Sequence, residues 1–290
     1  MEKQSNIARV VDYLVFGNIY IAVCAVLMAH YTFSLFNSPV NHKLLIFIFF
    51  ASISSYSFHS FLPSSVKEYS DKVSWGASHK KYLFALLLIG SIGSVITLFY
   101  LKQDIKLLLG VAVFTVLYSS PKIKFEKFTF FKRFGTAKTL YLTIVWTLVT
   151  VSLPLSSMSS YSSTEAILFF VNRFLLIYAV CILFDLKDKQ FDINRGIKSI
   201  VTVLSERTVH NILIGCLILF FISSAAFYIF NYSLITIAIL VLPGILLLFL
   251  LDKSKKTKSD YWYSILLDGI MMLSSVINLL YIWFIEIRKI

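Results

Sequence analysis

Three aspartates, Asp185, Asp188 and Asp192, stand in the stretch CILFDLKDKQFDINRG at positions 181–196, directly after a run of apolar residues. On a continuing helix, their i, i+3, i+7 spacing puts all three carboxylates on one stripe. Anions so placed repel one another, and a helix C-terminus already disfavours negative charge. A compensating cation is therefore expected. Hard divalent cations take carboxylate oxygens, and Mg²⁺ commonly shares a few carboxylates with substrate phosphates. The interleaved Lys187 and Lys189 are expected to point to other faces. The chemistry expected is metal–diphosphate binding, with Asp185, Asp188 and Asp192 as both metal ligands and catalytic groups. The plainer alternative is a solvated loop of mixed charge.

The elements that must hold these residues are legible in the composition. Of the 290 residues, 58% are hydrophobic and 14% charged. Soluble domains carry about a quarter charged residues, so this is a membrane-protein composition. A membrane-crossing helix needs about 20 mostly apolar residues. Nine candidate runs are read: 11–34, 41–61, 82–101, 104–118, 136–154, 164–184, 208–230, 232–250 and 261–286. The fourth is short, and Asn231 is the expected turn between the seventh and eighth. Residues 1–9 are polar and no small-residue cleavage site follows, so a signal peptide is not expected.

Loop charge sets the expected orientation. Lys67, Lys72, Lys80 and Lys81 follow the second run, and Lys122, Lys124, Lys127, Lys132, Arg133 and Lys138 follow the fourth. Lys187, Lys189, Arg195, Lys198 and Arg207 follow the sixth, and four more lysines follow the eighth. The opposite loops hold few cations. This places the N-terminus and the long loops in the cytoplasm and the C-terminus outside, across an inner (plasma) membrane. The net charge of +12 then lies at one face of the lipid bilayer, near anionic headgroups or an anionic substrate. It does not point to nucleic acid, because no soluble domain presents a basic surface. No protein partner is implied.

Other polar and reactive residues fall inside the apolar runs. Cys24, Cys181 and Cys216 have no CxxC spacing and read as core packing. Asp268 lies about seven residues, roughly 10 Å, into the last run. Arg173 lies twelve residues before Asp185. Each is costly alone in lipid, so both should face the bundle interior. They are expected to pair with each other, or Asp268 with Asn18, as a buried clamp. The functional alternative makes Asp268 a catalytic base or cation stabiliser. The 27 Phe, 16 Tyr and 4 Trp suit stabilisation of a carbocation, but membrane helices use aromatics anyway.

The segment DLKDKQFDINRGIKSI resembles the second aspartate-rich motif of the UbiA superfamily of intramembrane prenyltransferases, with Asp185, Asp188, Asp192, Gly196, Lys198 and Ser199 in place. Residues 117–154 resemble the family's Tyr-Ser-x-Pro segment, basic loop and Trp-bearing helix. The resemblance covers most of the chain. It implies one all-α bundle over residues 1–290, with nine transmembrane helices around a central cavity. It further implies two aspartate motifs holding Mg²⁺ and an isoprenoid diphosphate, which ionises to an allylic carbocation. By this resemblance Lys122, Lys124, Lys132, Arg133, Lys138 and Lys198 bind substrate, with Lys124 best fitting the Tyr-Ser-x-Pro context.

The first motif departs from the family. Where an Asn-Asp-x-x-Asp-x-x-x-Asp run should end the second helix, the chain reads SSYSFHSFLPSSVKEYSDK. Ser57 takes the Asn position and His59 stands close by; both are candidate substrate contacts. Pro63 should end the helix near Leu62, leaving Glu68 and Asp71 on a loop where Lys67 and Lys72 neutralise them. Three accounts follow. Glu68 and Asp71 act as replacement ligands, the second cluster alone binds metal with cations doing the rest, or catalysis is lost. The altered motif and the aromatic helices tilt the reading toward a UbiA-type terpene cyclase. Prenyl transfer to a lipid-soluble or aromatic acceptor is the alternative, and a non-catalytic lipid-binding homologue the second.

Overall fold

The computed structural model describes residues 6–61, 70–101, 105–119, 138–194, 198–257 and 259–288. Among these, the protein is built from helices alone. In chain order they are α1 (Asn6–Val15), α2 (Ile19–Leu35), α3 (His42–Phe61), α4 (Asp71–Ser78), α5 (Lys80–Leu98) and α6 (Ile105–Ser119). There follow α7 (Lys138–Ser156), α8 (Ser163–Asn194), α9 (Ile200–Val203), α10 (Glu206–Ala226), α11 (Leu234–Lys256) and α12 (Trp262–Ile287). Each of the nine apolar runs lies largely in helix. Among the described residues, seven helices are long and apolar enough to cross a membrane. The pair α1 and α2, bent by 56°, passes the same test together, as a broken span or a re-entrant loop, and α6 is a shorter apolar helix.

Local chemistry explains the breaks. A Cβ at Gly17 would lie 2.0 Å from the Tyr13 carbonyl, and Asn18 follows at φ 65°, so the chain bends where only these small or turn-tolerant residues fit. Asn231 closes the turn between α10 and α11 at φ 62°, as expected. Gly90 lets α5 lie against α3, because a Cβ there would come within 2.6 Å of the Ser54 amide. The Ser54 and Ser91 hydroxyls bond across that contact at 2.8 Å. Small residues allow this approach in lipid, where burial of apolar surface gives little drive.

The long helix α8 is the axis of the bundle, packing on α7, α10, α11 and α12. Its 32 residues span about 48 Å at 1.5 Å per residue, longer than the bilayer core. It therefore carries its aspartates beyond the apolar run while one face stays buried from Ala166 to Asp192. The free Cys24, Cys181 and Cys216 are all buried in the core. At the end opposite the aspartates, a cleft of about 530 Å³ opens among Tyr31, Ser34, Glu165, Tyr232 and Asn278.

Candidate active site

Asp185, Asp188 and Asp192 occupy the last three turns of α8. Asp185 is 6% exposed and accepts a short hydrogen bond from the Thr139 hydroxyl of α7. The Lys138 ammonium lies 4.0 Å from its other oxygen. Asp188 is half-buried, with Lys187 Nζ at 4.0 Å. Asp192 is 1% exposed, and its Oδ2 has no hydrogen-bond partner. A buried carboxylate oxygen left unpaired is costly unless something cationic is to meet it.

Lys187 does not point away from the site. Its ammonium ion-pairs closely with Asp260, at the entrance to α12, and lies 5.2 Å over the Tyr263 ring. Lysine is long and the start of α12 comes up to meet it, so its ammonium is not confined to its own helix face. Asp260 is 2% exposed, and its Oδ2 accepts the backbone amide of Lys72 at 2.9 Å. One carboxylate thus ties the N-terminus of α4 to the aspartate helix.

Asp71, expected on a loop, instead opens the short helix α4. Ser70 caps α4 by accepting the Val73 amide at 3.2 Å, and Asp71 in the first turn suits the helix dipole. Trp75 packs edge-on against Tyr13 and stacks on His79 at 4.3 Å, fixing α4 against α1. Asp71 is exposed. Lys72 sits in the field of Asp268, Lys187, Asp260 and Asp188. Its desolvation pushes the ammonium below the ordinary lysine value, against the opposing pull of Asp268. Burial would raise the Asp260 carboxyl, but Lys187, the Lys72 amide and Ser70 together hold it below the usual carboxylate range.

Asp268 is 9% exposed and feels Lys72 and Lys187. The expected clamps are absent. Arg173 donates to Ser274 Oγ at 3.3 Å, and Asn18 donates to Ser60 Oγ at 3.3 Å. Ser57 is fully buried with an unpartnered hydroxyl, and His59 is half-buried on the same helix. Lys198 is exposed just ahead of α9. Lys122, Lys124, Lys132, Arg133 and Glu68 lie outside the described residues.

Among the described residues, no three His, Cys, Asp or Glu side chains converge closely enough to hold a metal ion. The donor chemistry nevertheless suits a hard cation: three aspartates on one stripe, with a buried oxygen of Asp192 unpaired. A family model of the UbiA prenyltransferase family matches residues 73–276. The chain belongs to the UbiA prenyltransferase family. The apo structure of a UbiA homolog from Aeropyrum pernix K1 superimposes with a TM-score of 0.59 at 15% sequence identity, covering 92% of this chain and 98% of that one. That likeness shows the shared fold. No curated protein matches the chain. As a UbiA family member with this set of apolar helices, it is a multi-pass, prenyltransferase-like membrane protein.

Proposed function

We propose that the protein ionises an isoprenoid diphosphate at the aspartate end of α8. The observation that carries this reading is the unpaired, buried Asp192 oxygen on the same stripe as Asp185 and Asp188. Those three residues would hold Mg²⁺, which when bound supplies positive charge to the departing diphosphate. Lys138, Lys187 and Lys72 reach the same region and would add cationic contacts. They join Lys122, Lys124, Lys132, Arg133 and Lys198 as the substrate-binding set. Ser57 offers a buried hydroxyl to the substrate, and His59 of the same helix is the second polar contact. The second motif alone carries the metal in this reading, with lysines standing in for the lost first motif. Loop charge supports a cytoplasmic position for this end.

We favour cyclisation over transfer for the fate of the carbocation. Trp146 donates to Tyr56 Oη at 2.8 Å between α7 and α3, and Phe184 and Tyr263 pack at 5.4 Å just above the aspartates. Such rings stabilise a cation through their quadrupoles. Asp268 would act beside them as cation stabiliser or base. Incubating the purified protein with radiolabelled geranylgeranyl diphosphate, with and without Mg²⁺, tests this. A hydrocarbon or alcohol formed without added acceptor supports cyclisation, whereas product only with an acceptor supports transfer. No diphosphate release at any chain length would favour a non-catalytic lipid-binding role.

A further inference from the structure

The last helix does not begin with regular α-geometry. Helical bonding opens at Asp260 and Tyr261, widens into a π-helical turn over Trp262–Leu267, and returns to the α-helix at Asp268. A π-turn of this kind adds about one residue to the spiral. Asp260 and Asp268 stand eight positions apart. On a regular helix that spacing would turn them about 80° from one another. With the extra residue absorbed they stand as residues seven apart do, on one face. Both then meet the same cations. Asp260 pairs with Lys187 and accepts the Lys72 amide, and Asp268 lies in the field of Lys72 and Lys187.

A side chain from α2 holds this turn. Tyr20 donates its hydroxyl to the Ile265 carbonyl at 2.8 Å. The Asp268 amide donates to that same carbonyl and to the Tyr263 carbonyl five residues back. A carbonyl has two lone pairs, and at the widened turn Tyr20 fills the second. Its hydroxyl thus shares an acceptor with the amide of Asp268 itself. Gly269 follows, and a Cβ there would lie 2.8 Å from the Tyr20 oxygen. Glycine leaves room for the hydroxyl at the point where α2 and the turn meet. Tyr20 also lies in the electrostatic field of Asp268.

We propose that Tyr20 is a positioning residue for Asp268: it holds the wide turn that aims this carboxylate at Lys72 and Lys187. Its importance for turnover rests on the reading of the aspartate end as the reaction site, with Asp268 beside the substrate. Tyr20 takes no part in the chemistry itself. Without its hydroxyl the turn loses a donor that fixes it, and the Asp268 carboxylate turns away from Lys72.

Asp268 is the carboxylate that most favours the charged Lys72 ammonium, so the reactivity of that amine reports where Asp268 points. The full chain in detergent is acylated with limiting acetic anhydride at a pH of about 8, below the ordinary lysine value of about 10.4, and mapped by mass spectrometry. Asp268→Asn should speed acylation of Lys72 about fivefold, Tyr20→Phe about threefold, and the double variant no more than Asp268→Asn alone. Gly269→Ala, whose methyl displaces the hydroxyl, should match Tyr20→Phe. The exposed Lys80 and Lys81 should react as in the wild type. With geranylgeranyl diphosphate, Tyr20→Phe should lower kcat for diphosphate release about tenfold at an unchanged KM. A wild type that releases no diphosphate from any isoprenoid substrate would fail the reaction reading, and Lys72 labelling would then decide the role of Tyr20 alone. Unchanged Lys72 labelling or unchanged turnover in Tyr20→Phe, additive effects in the double variant, or equal speeding at Lys80 and Lys81 each overturns the proposal.

Discussion

Two regions of α8 bury charge in opposite ways. At its C-terminal end, Asp185, Asp188, Asp192, Asp260 and Asp268 gather with three described lysines, Lys72, Lys138 and Lys187. Three turns further into the bundle, Arg173 is alone with two aromatic rings and a serine. The first region has more carboxylates than ammonium groups, and it keeps one carboxylate oxygen unpaired. The second has a cation and, among the described residues, no carboxylate paired with it. Burial of unmatched charge costs several kcal/mol per ion in a folded protein, so neither arrangement is neutral packing. The acid-rich end is shaped for a cation together with a polyanionic substrate.

The comparison breaks most readily at the aspartates. Asp185→Ala or Asp188→Ala should lower diphosphate release by more than about 100-fold, beyond what loss of an outer-shell partner costs. The melting temperature should stay within a few degrees of wild type. Arg173→Met should do the reverse, changing stability while leaving the Mg²⁺ requirement intact. Turnover near wild type in both aspartate variants would remove the contrast between the two regions.

A smaller effect is expected at the tie between α8 and α4. Lys187→Met removes an ammonium shared by Asp188 and Asp260 and should weaken inorganic pyrophosphate binding about tenfold. Isothermal titration would read it directly. Unchanged affinity would confine Lys187 to holding α4.

Asp260 gives a pH test of that tie. Its folded carboxyl is held below the ordinary aspartate value of about 3.9. Its stabilisation is thus fully present above that value and is lost as pH falls through the depressed folded one. Deuterium uptake by α4 amides, corrected for intrinsic rates, should stay constant from neutral pH down to the ordinary carboxylate range. Asp260→Asn should speed uptake throughout. Loosening of α4 already near pH 6 would contradict this assignment.

The smallest effect concerns the degenerate first motif. Glu68→Gln with Asp71→Asn should leave the Mg²⁺ concentration for half-maximal rate within about twofold of wild type. Asp71 is exposed at the start of α4. A large shift would place these acids among the metal ligands.

The sequence revealed features set by local rules. The apolar runs, the Asn231 turn and the continuation of α8 past Phe184 follow from length, φ preference and helical spacing. What it hid depends on where other helices come to rest. Asp260 looks like an ordinary acid opening the last helix, yet its carboxylate caps α4, nearly two hundred residues away in the chain. Lys72 lies on a helix too short and polar to show periodicity, although Ser70 and Asp71 already form an N-terminal signature. The proposed Arg173–Asp268 pair failed because depth along a helix says nothing about the face on which a partner stands. Arg173 instead turns to Ser274, Tyr31 and Phe169.

The most direct test of the central claim is the electron paramagnetic resonance spectrum of Mn²⁺, substituted for Mg²⁺, with the purified protein and inorganic pyrophosphate. The wild type should show a bound-Mn²⁺ signal that strengthens with pyrophosphate, and the signal should vanish when Asp185, Asp188 and Asp192 are all changed to Asn. A pyrophosphate-dependent signal that persists unchanged in that triple variant would contradict the assignment of metal and diphosphate to the aspartate end of α8.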